Sequence, residues 1–151
     1  MIGAVAVFDT RSVKGVVTFA DRKPGLYIEV TFTKLPKGKH GFHIHSAGDL
    51  RGDGCKLACD HYNKGPEKAH GGPPQHNQRQ RHTGDLGNVE ENVNYSFTLK
   101  NVTVDDILGR SMIVHEDEDD LGLGGEEDSL KTGHSGKRIA CSVIGRSSNN
   151  I

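Results

Sequence analysis

Residues 40–45 read HGFHIH, opening the longer stretch GFHIHSAGDL (41–50), and their spacing says where both the fold and the chemistry begin. On a β-strand successive side chains point to opposite faces, so Phe42 and Ile44 share one face while His43 and His45 share the other. The apolar face suits a core. The other face sets two imidazoles side by side, and imidazole is the commonest side-chain ligand for transition metals. A half-exposed strand that merely carries two polar histidines would read the same from these letters, so the rest of the chain must choose.

Working outward, short alternating or β-branched runs bounded by Gly, Pro, Asn and Asp recur along the chain. They are AVAVF (4–8), GVVTF (15–19), LYIEVTFT (26–33), HGFHIH (40–45), DLGNVE (85–90), YSFTLK (95–100), SMIVH (111–115) and RIACSVI (138–144). No stretch keeps a helical period over three turns, and VTVDDILG (102–109) allows at most a short helical turn. Many short strands with turn signals between them predict an antiparallel sandwich or barrel. Twenty glycines in 151 residues favour turns and shaped loops, and the length suits one domain, residues 1–151. Two long connections, 46–84 and 116–137, are of a length that is usually functional or disordered.

A formal net charge of −1 gives no electrostatic case for nucleic acid or an anionic membrane as partner. No apolar run approaches a membrane span, and MIGAVAVFDT lacks the basic start and apolar stretch of a secretion signal. A cytoplasmic protein is the expectation. In a reducing compartment the three cysteines, Cys55, Cys59 and Cys141, would by default be thiols. Of nine histidines, six lie between His40 and His76 and a seventh is His82, the strongest compositional clue to a metal.

The candidate ligands are His43, His45, His61, His70, His82, Asp85 and His115. Seven nitrogen and oxygen donors exceed one tetrahedral site and suit two metals, especially if one imidazolate bridges them. With no CxxC pair, a cysteine-rich structural zinc site is disfavoured. GFHIH, the HGGP of 70–73, RHTGDLGN (81–88), VHEDEDDLG (114–122) and GKRIACSVIG (136–145) together resemble, in order and spacing, the signature segments of copper/zinc superoxide dismutases. The resemblance runs from about residue 4 to 145.

It implies an all-β, eight-stranded antiparallel Greek-key barrel or sandwich with two long functional loops. By the same resemblance copper is held by His43, His45, His61 and His115, and zinc by His61, His70, His82 and Asp85, with His61 the bridge. Asp119 matches the carboxylate that links a copper histidine to a zinc histidine, here His43 and His70. Cys55 and Cys141 match the family's disulfide. Arg138 matches the cation beside copper, and Lys131, Thr132, Glu127 and Asp128 match the channel and steering segment. The implied activity is dismutation of the superoxide anion by a homodimer, loaded with copper by a chaperone, with Arg138 and His61 catalytic. Rival readings are a copper-handling protein and a non-enzymatic module that keeps only the fold.

Several positions depart from the pattern. Cys59 has no usual counterpart and reads as a bystander, a rival disulfide partner or an adventitious copper ligand. His76 is an alternative zinc ligand to His82, whereas His40 reads as structural and His134 as a surface residue. Eight acids and no base lie from Glu116 to Asp128, and Asp117 stands where many relatives carry lysine. An Asp117 facing the channel would weaken anion steering despite Lys131, Lys137 and Arg138. Arg146 replaces a commonly apolar residue of the dimer contact.

Overall fold

Alternation is visible in the first strand of the computed structural model, which describes residues 3–76, 78 and 80–148. In β1 (Ala4–Asp9) Ala4, Ala6 and Phe8 face inward while Val7 and Asp9 face out. The same period runs through β2 (Lys14–Arg22), β3 (Gly25–Lys34) and β6 (Asn94–Lys100). These strands form one antiparallel sheet in the order β6-β3-β2-β1, closed at its far edge by β9 (Gly145–Arg146). The second antiparallel sheet runs β5-β4-β7-β8, built from β4 (His40–His45), β5 (Asp85–Val89), β7 (Ser111–His115) and β8 (Arg138–Val143).

The two sheets pack face to face through Val17, Phe19, Ile28, Val30 and Phe32 on one side and Phe42, Ile44, Leu86, Met112 and Val114 on the other. Phe32 meets Phe42 edge to face, centroids 5.6 Å apart, which ties the sheets at the centre of the core. Burial of side chains of this size contributes about 1.5–3 kcal/mol each. The architecture is the expected all-β sandwich, and the predicted strands at 40–45 and 111–115 have the observed bounds. No helix among the described residues is long and apolar enough to cross a membrane.

A ninth strand is the main difference from the eight expected. The last predicted run stops at Val143, because the backbone of Ile144 bonds to Arg110 and Gly109. The chain then crosses to the other sheet, where Gly145 and Arg146 pair with Val5 and Ala4. The expected short helical turn is α1 (Val104–Ile107), set by a capping box in which Thr103 and Asp106 exchange side-chain and backbone hydrogen bonds.

What positions the site is the contrast between strands. All six residues of β4 and all five of β7 are buried, so both faces of these strands are covered. Phe42 and Ile44 point into the core, and His43 and His45 point outward beneath the two long connections. The first connection returns alongside β4, with Tyr62 N donating to Ile44 O, Ile44 N to Gly84 O, and Ser46 N to Asp60 O. That pairing sets His61 opposite His45. The first connection is also tied to β8 by the Cys55–Cys141 disulfide, while Cys59 is a free, exposed thiol.

Candidate metal centre

Two clusters of donor atoms form where the connections meet the outer face of the second sheet. His43, His45, His61 and His115 form one and His61, His70, His82 and Asp85 the other, with the donors of each cluster within 4.8 Å of one another. His61 belongs to both. These are the seven residues singled out in the sequence, and the two sets share one imidazole.

The ring nitrogens show what the clusters are built to hold. His45 Nδ1–H donates to Cys59 O at 2.8 Å, His115 Nδ1–H to Gly136 O at 3.1 Å, and His43 Nε2–H to Asp119 Oδ2 at 2.5 Å. Each bond fixes the tautomer and leaves the opposite nitrogen as a bare lone pair. Those nitrogens, His43 Nδ1, His45 Nε2 and His115 Nε2, are buried without a hydrogen-bond partner, as is His61 Nε2. Orphaned buried polar atoms are costly and rare. Four in one place, all lone pairs converging, fit a bound cation.

On the second cluster His61 Nδ1 and His70 Nδ1 each lie 2.9 Å from Asp85 Oδ1, and His82 Nδ1 lies 3.4 Å from it. Asp85 is itself held by the backbone amides of Gly71 and His82 on its other oxygen, at 2.9 and 2.7 Å. Three imidazoles and one carboxylate suit tetrahedral zinc, and the all-imidazole set suits copper.

Asp119 joins the clusters. Its carboxylate accepts from His43 Nε2 and from His70 Nε2, the latter at 2.8 Å, and it is 1% exposed. Gly133 closes over this contact at φ 77°; a Cβ there would collide with Asp119 and His70.

Electrostatics separate the two halves. Burial holds His43 and His45 well below the ordinary imidazole value, and burial likewise lowers His115 to about 4. At His70 burial is outweighed by the hydrogen bond to Asp119 and by the Asp85 carboxylate, which lift it to about 9. His82 is also raised, burial again opposing and Asp85 prevailing. Asp85 is buried too, yet hydrogen bonds from His61, His70 and His82 hold it well below the usual carboxylate range. Protons therefore compete more strongly for the imidazoles of His70 and His82 than for those of His43, His45 and His115. Stepwise acidification of the loaded protein from about pH 7 toward pH 3 should release zinc before copper. Metal content measured at each step checks this, and copper leaving first would contradict it.

Above His61 a cleft of about 510 Å³ opens to solvent, lined by His61, His82, Lys131, Thr132 and Arg138, and by Asp60 and Lys68. Arg138 Nη1 donates to Cys55 O at 2.8 Å and Nη2 to Cys59 O at 2.7 Å, so the first connection fixes the guanidinium. Lys131 and Thr132 sit on α2 (Ser129–Thr132), a single turn inside the second connection.

Other residues named from sequence stand apart from this cleft. Asp117, Lys137, Glu127 and Asp128 do not line it, and Asp128 pairs with His134 across 2.6 Å at the surface. His76 is exposed and belongs to neither cluster. Both ring nitrogens of His40 lie within hydrogen-bond distance of backbone carbonyls, Nε2 2.8 Å from Pro36 O and Nδ1 2.9 Å from His115 O, a structural tie between β4 and β7. Asp60 and Lys68 were not picked out from sequence; one flanks His61, and the other lies two residues before His70.

Fold and site together define a β-sandwich protein with a paired-metal centre under two long loops. The family model for copper/zinc superoxide dismutase (SODC) matches residues 13–144, and the chain belongs to that family. It is 46% identical to a Cu-Zn superoxide dismutase of Paramecium bursaria Chlorella virus 1, over 99% of this chain and 81% of that protein. It is also 45% identical to the copper chaperone for superoxide dismutase of Rattus norvegicus, over 95% of this chain but only 53% of the chaperone. Among solved structures the clock protein EA4 superposes with a TM-score of 0.81 at 39% identity, covering 95% of this chain and 93% of that one. Copper and zinc are the metals of the family, and the donor sets fit them.

Proposed function

We propose that the protein is a superoxide dismutase, with residues 1–151 acting as one catalytic domain. The observation that carries the reading is an intact double donor set beneath a cleft that presents Arg138. Copper would be held by His43, His45, His61 and His115, and zinc by His61, His70, His82 and Asp85. When bound, copper supplies a one-electron couple that reaches both directions of the overall reaction, in which two superoxide anions and two protons give dioxygen and hydrogen peroxide.

The chain's own residues do the rest. Arg138 attracts the anion and orients it through a fixed guanidinium. Lys131 and Lys68 add positive field at the mouth. His61 is placed to carry protons, since its Nε2 is buried and unpartnered and the residue lines the cleft. The zinc cluster and Asp119 hold the rings of His61, His70 and His43 in place.

A homodimer is the proposed assembly. Val7 and Val16, paired across β1 and β2, are exposed, as is Val143 on β8, while Arg146 at the end of β9 is exposed and compatible with a polar rim. The exposed Cys59 thiol supports a reducing, cytoplasmic setting, in which a copper chaperone would load the metal.

The second reading, copper handling without catalysis, is favoured by the likeness to the rat chaperone. Superoxide decay by protein carrying both metals separates the two. Catalysed decay well above the spontaneous rate is the expected result; none at full metal occupancy would move the protein to the metal-handling class.

A further inference from the structure

The cleft contains a charge that works against anion capture. Asp60 is exposed and stands on the same rim as Lys68, Lys131 and Arg138. Its place is fixed by its own backbone, whose carbonyl accepts from Ser46 N at 2.9 Å, and by its neighbour His61 at the floor. The Arg138 guanidinium bonds to the carbonyls of Cys55 and Cys59, not to the Asp60 carboxylate, so the acid is not consumed in an ion pair with it. The long acidic run of the second connection does not reach this rim: Asp117, Glu127 and Asp128 lie off it.

We propose that Asp60 sets the anion selectivity of the cleft, holding back multiply charged anions more strongly than a singly charged one. The inference rests on the dismutase reading for its biological sense, since the favoured substrate is then a small monoanion and the excluded species are dianions that would block Arg138. Its physics is Coulombic. For a separation on the order of 7 Å in water at low salt, where the Coulomb energy is about RT, one fixed charge changes the affinity of a monoanion by about threefold. The interaction scales with ligand charge, so the factor for a dianion is the square, about ninefold. At physiological ionic strength both factors shrink, to about 1.5-fold and about twofold. A cleft with only Lys68, Lys131 and Arg138 at its mouth would favour dianions; adding Asp60 shifts the balance back toward monoanions.

The field of Asp60 reaches the guanidinium: burial lowers the Arg138 pKa, and the Asp60 carboxylate offsets part of that fall. This agrees with the shared rim.

The test uses the copper- and zinc-loaded protein, its Asp60→Asn variant and a charge-conserving Asp60→Glu variant. Phenylglyoxal, which is uncharged, modifies arginine; protection of Arg138 by nitrate or by sulfate is taken relative to the unprotected rate of the same variant and read from the mass of the peptide carrying it. At low, fixed ionic strength Asp60→Asn should tighten nitrate protection about threefold and sulfate protection about ninefold, while Asp60→Glu keeps the wild-type ratio. Equal factors for the two anions, or no change for either, would overturn the proposal. The readout does not depend on turnover. A protein that fails to dismute superoxide yet shows the unequal factors would sink the dismutase reading alone.

Discussion

Arg138→Ala is expected to slow superoxide decay by the loaded protein about ten- to a hundredfold, with copper and zinc content unchanged. The size follows from what a preorganised charged donor contributes when it is aimed at a small anion in a confined site. Arg138 opens β8, half-buried, and burial pulls its pKa below the ordinary value while leaving it charged at neutral pH. Of the five N–H groups a guanidinium offers, those bonded to the carbonyls of Cys55 and Cys59 lock its plane. Removing the side chain deletes both the charge and the oriented donors. Arg138→Lys keeps the charge without the fork and should fall between the two. Because Arg138 belongs to neither donor cluster, metal analysis separates a catalytic loss from a loading defect. A wild-type rate for Arg138→Ala would mean that capture is governed elsewhere in the cleft.

The strands that carry this site were legible because they obey a period. HGFHIH alternates and SMIVH is bounded by Arg110 and the acidic run, so both elements were placed from sequence with their observed limits. The connections have no period to read. The turns at Lys56–Ala58, Pro74–His76 and Ser129–Thr132 are set by local hydrogen bonds and by contacts across the molecule rather than by a pattern of apolar residues.

The acids show the same limit. From Glu116 to Asp120 every residue is acidic, and nothing in the letters separates them except the family resemblance. Burial does separate them: Asp119 turns inward to His43 and His70, while Glu116, Asp117 and Glu118 stay exposed. Sequence drew attention to Asp117 as the acid that could oppose anion steering, yet the acid on the rim is Asp60. A lone charge in an irregular loop leaves no signal until the loop is folded. The ninth strand escaped for a related reason, since Gly145 and Arg146 pair through backbone alone and are too short to alternate.

Loss of the Cys55–Cys141 disulfide carries the other large expected effect, and it acts on stability and on the site together. The bridge joins residues 86 apart. On the chain-entropy account, opening a loop of that size costs about 4 to 5 kcal/mol of stability, as an upper estimate. For a chain of this length that corresponds to a fall in Tm of about 10–15 °C. The cleaner variant is the double Cys55→Ser/Cys141→Ser, because Cys141→Ser alone leaves Cys55 free to pair with Cys59 four residues on. The entropic term is only half of the expectation. Cys55 and Cys59 lend Arg138 the two carbonyls that fix its guanidinium, and the Cys59 carbonyl also accepts from His45 Nδ1. A first connection released from β8 would therefore loosen the Arg138 guanidinium and the His45 tautomer at once. The double variant should melt earlier and, at a temperature where it is fully folded and metal-loaded, still turn over more slowly than wild type. A lowered Tm with an unchanged rate would show that the backbone pairing of Tyr62 with Ile44 and of Ser46 with Asp60 holds the first connection in place without the bridge.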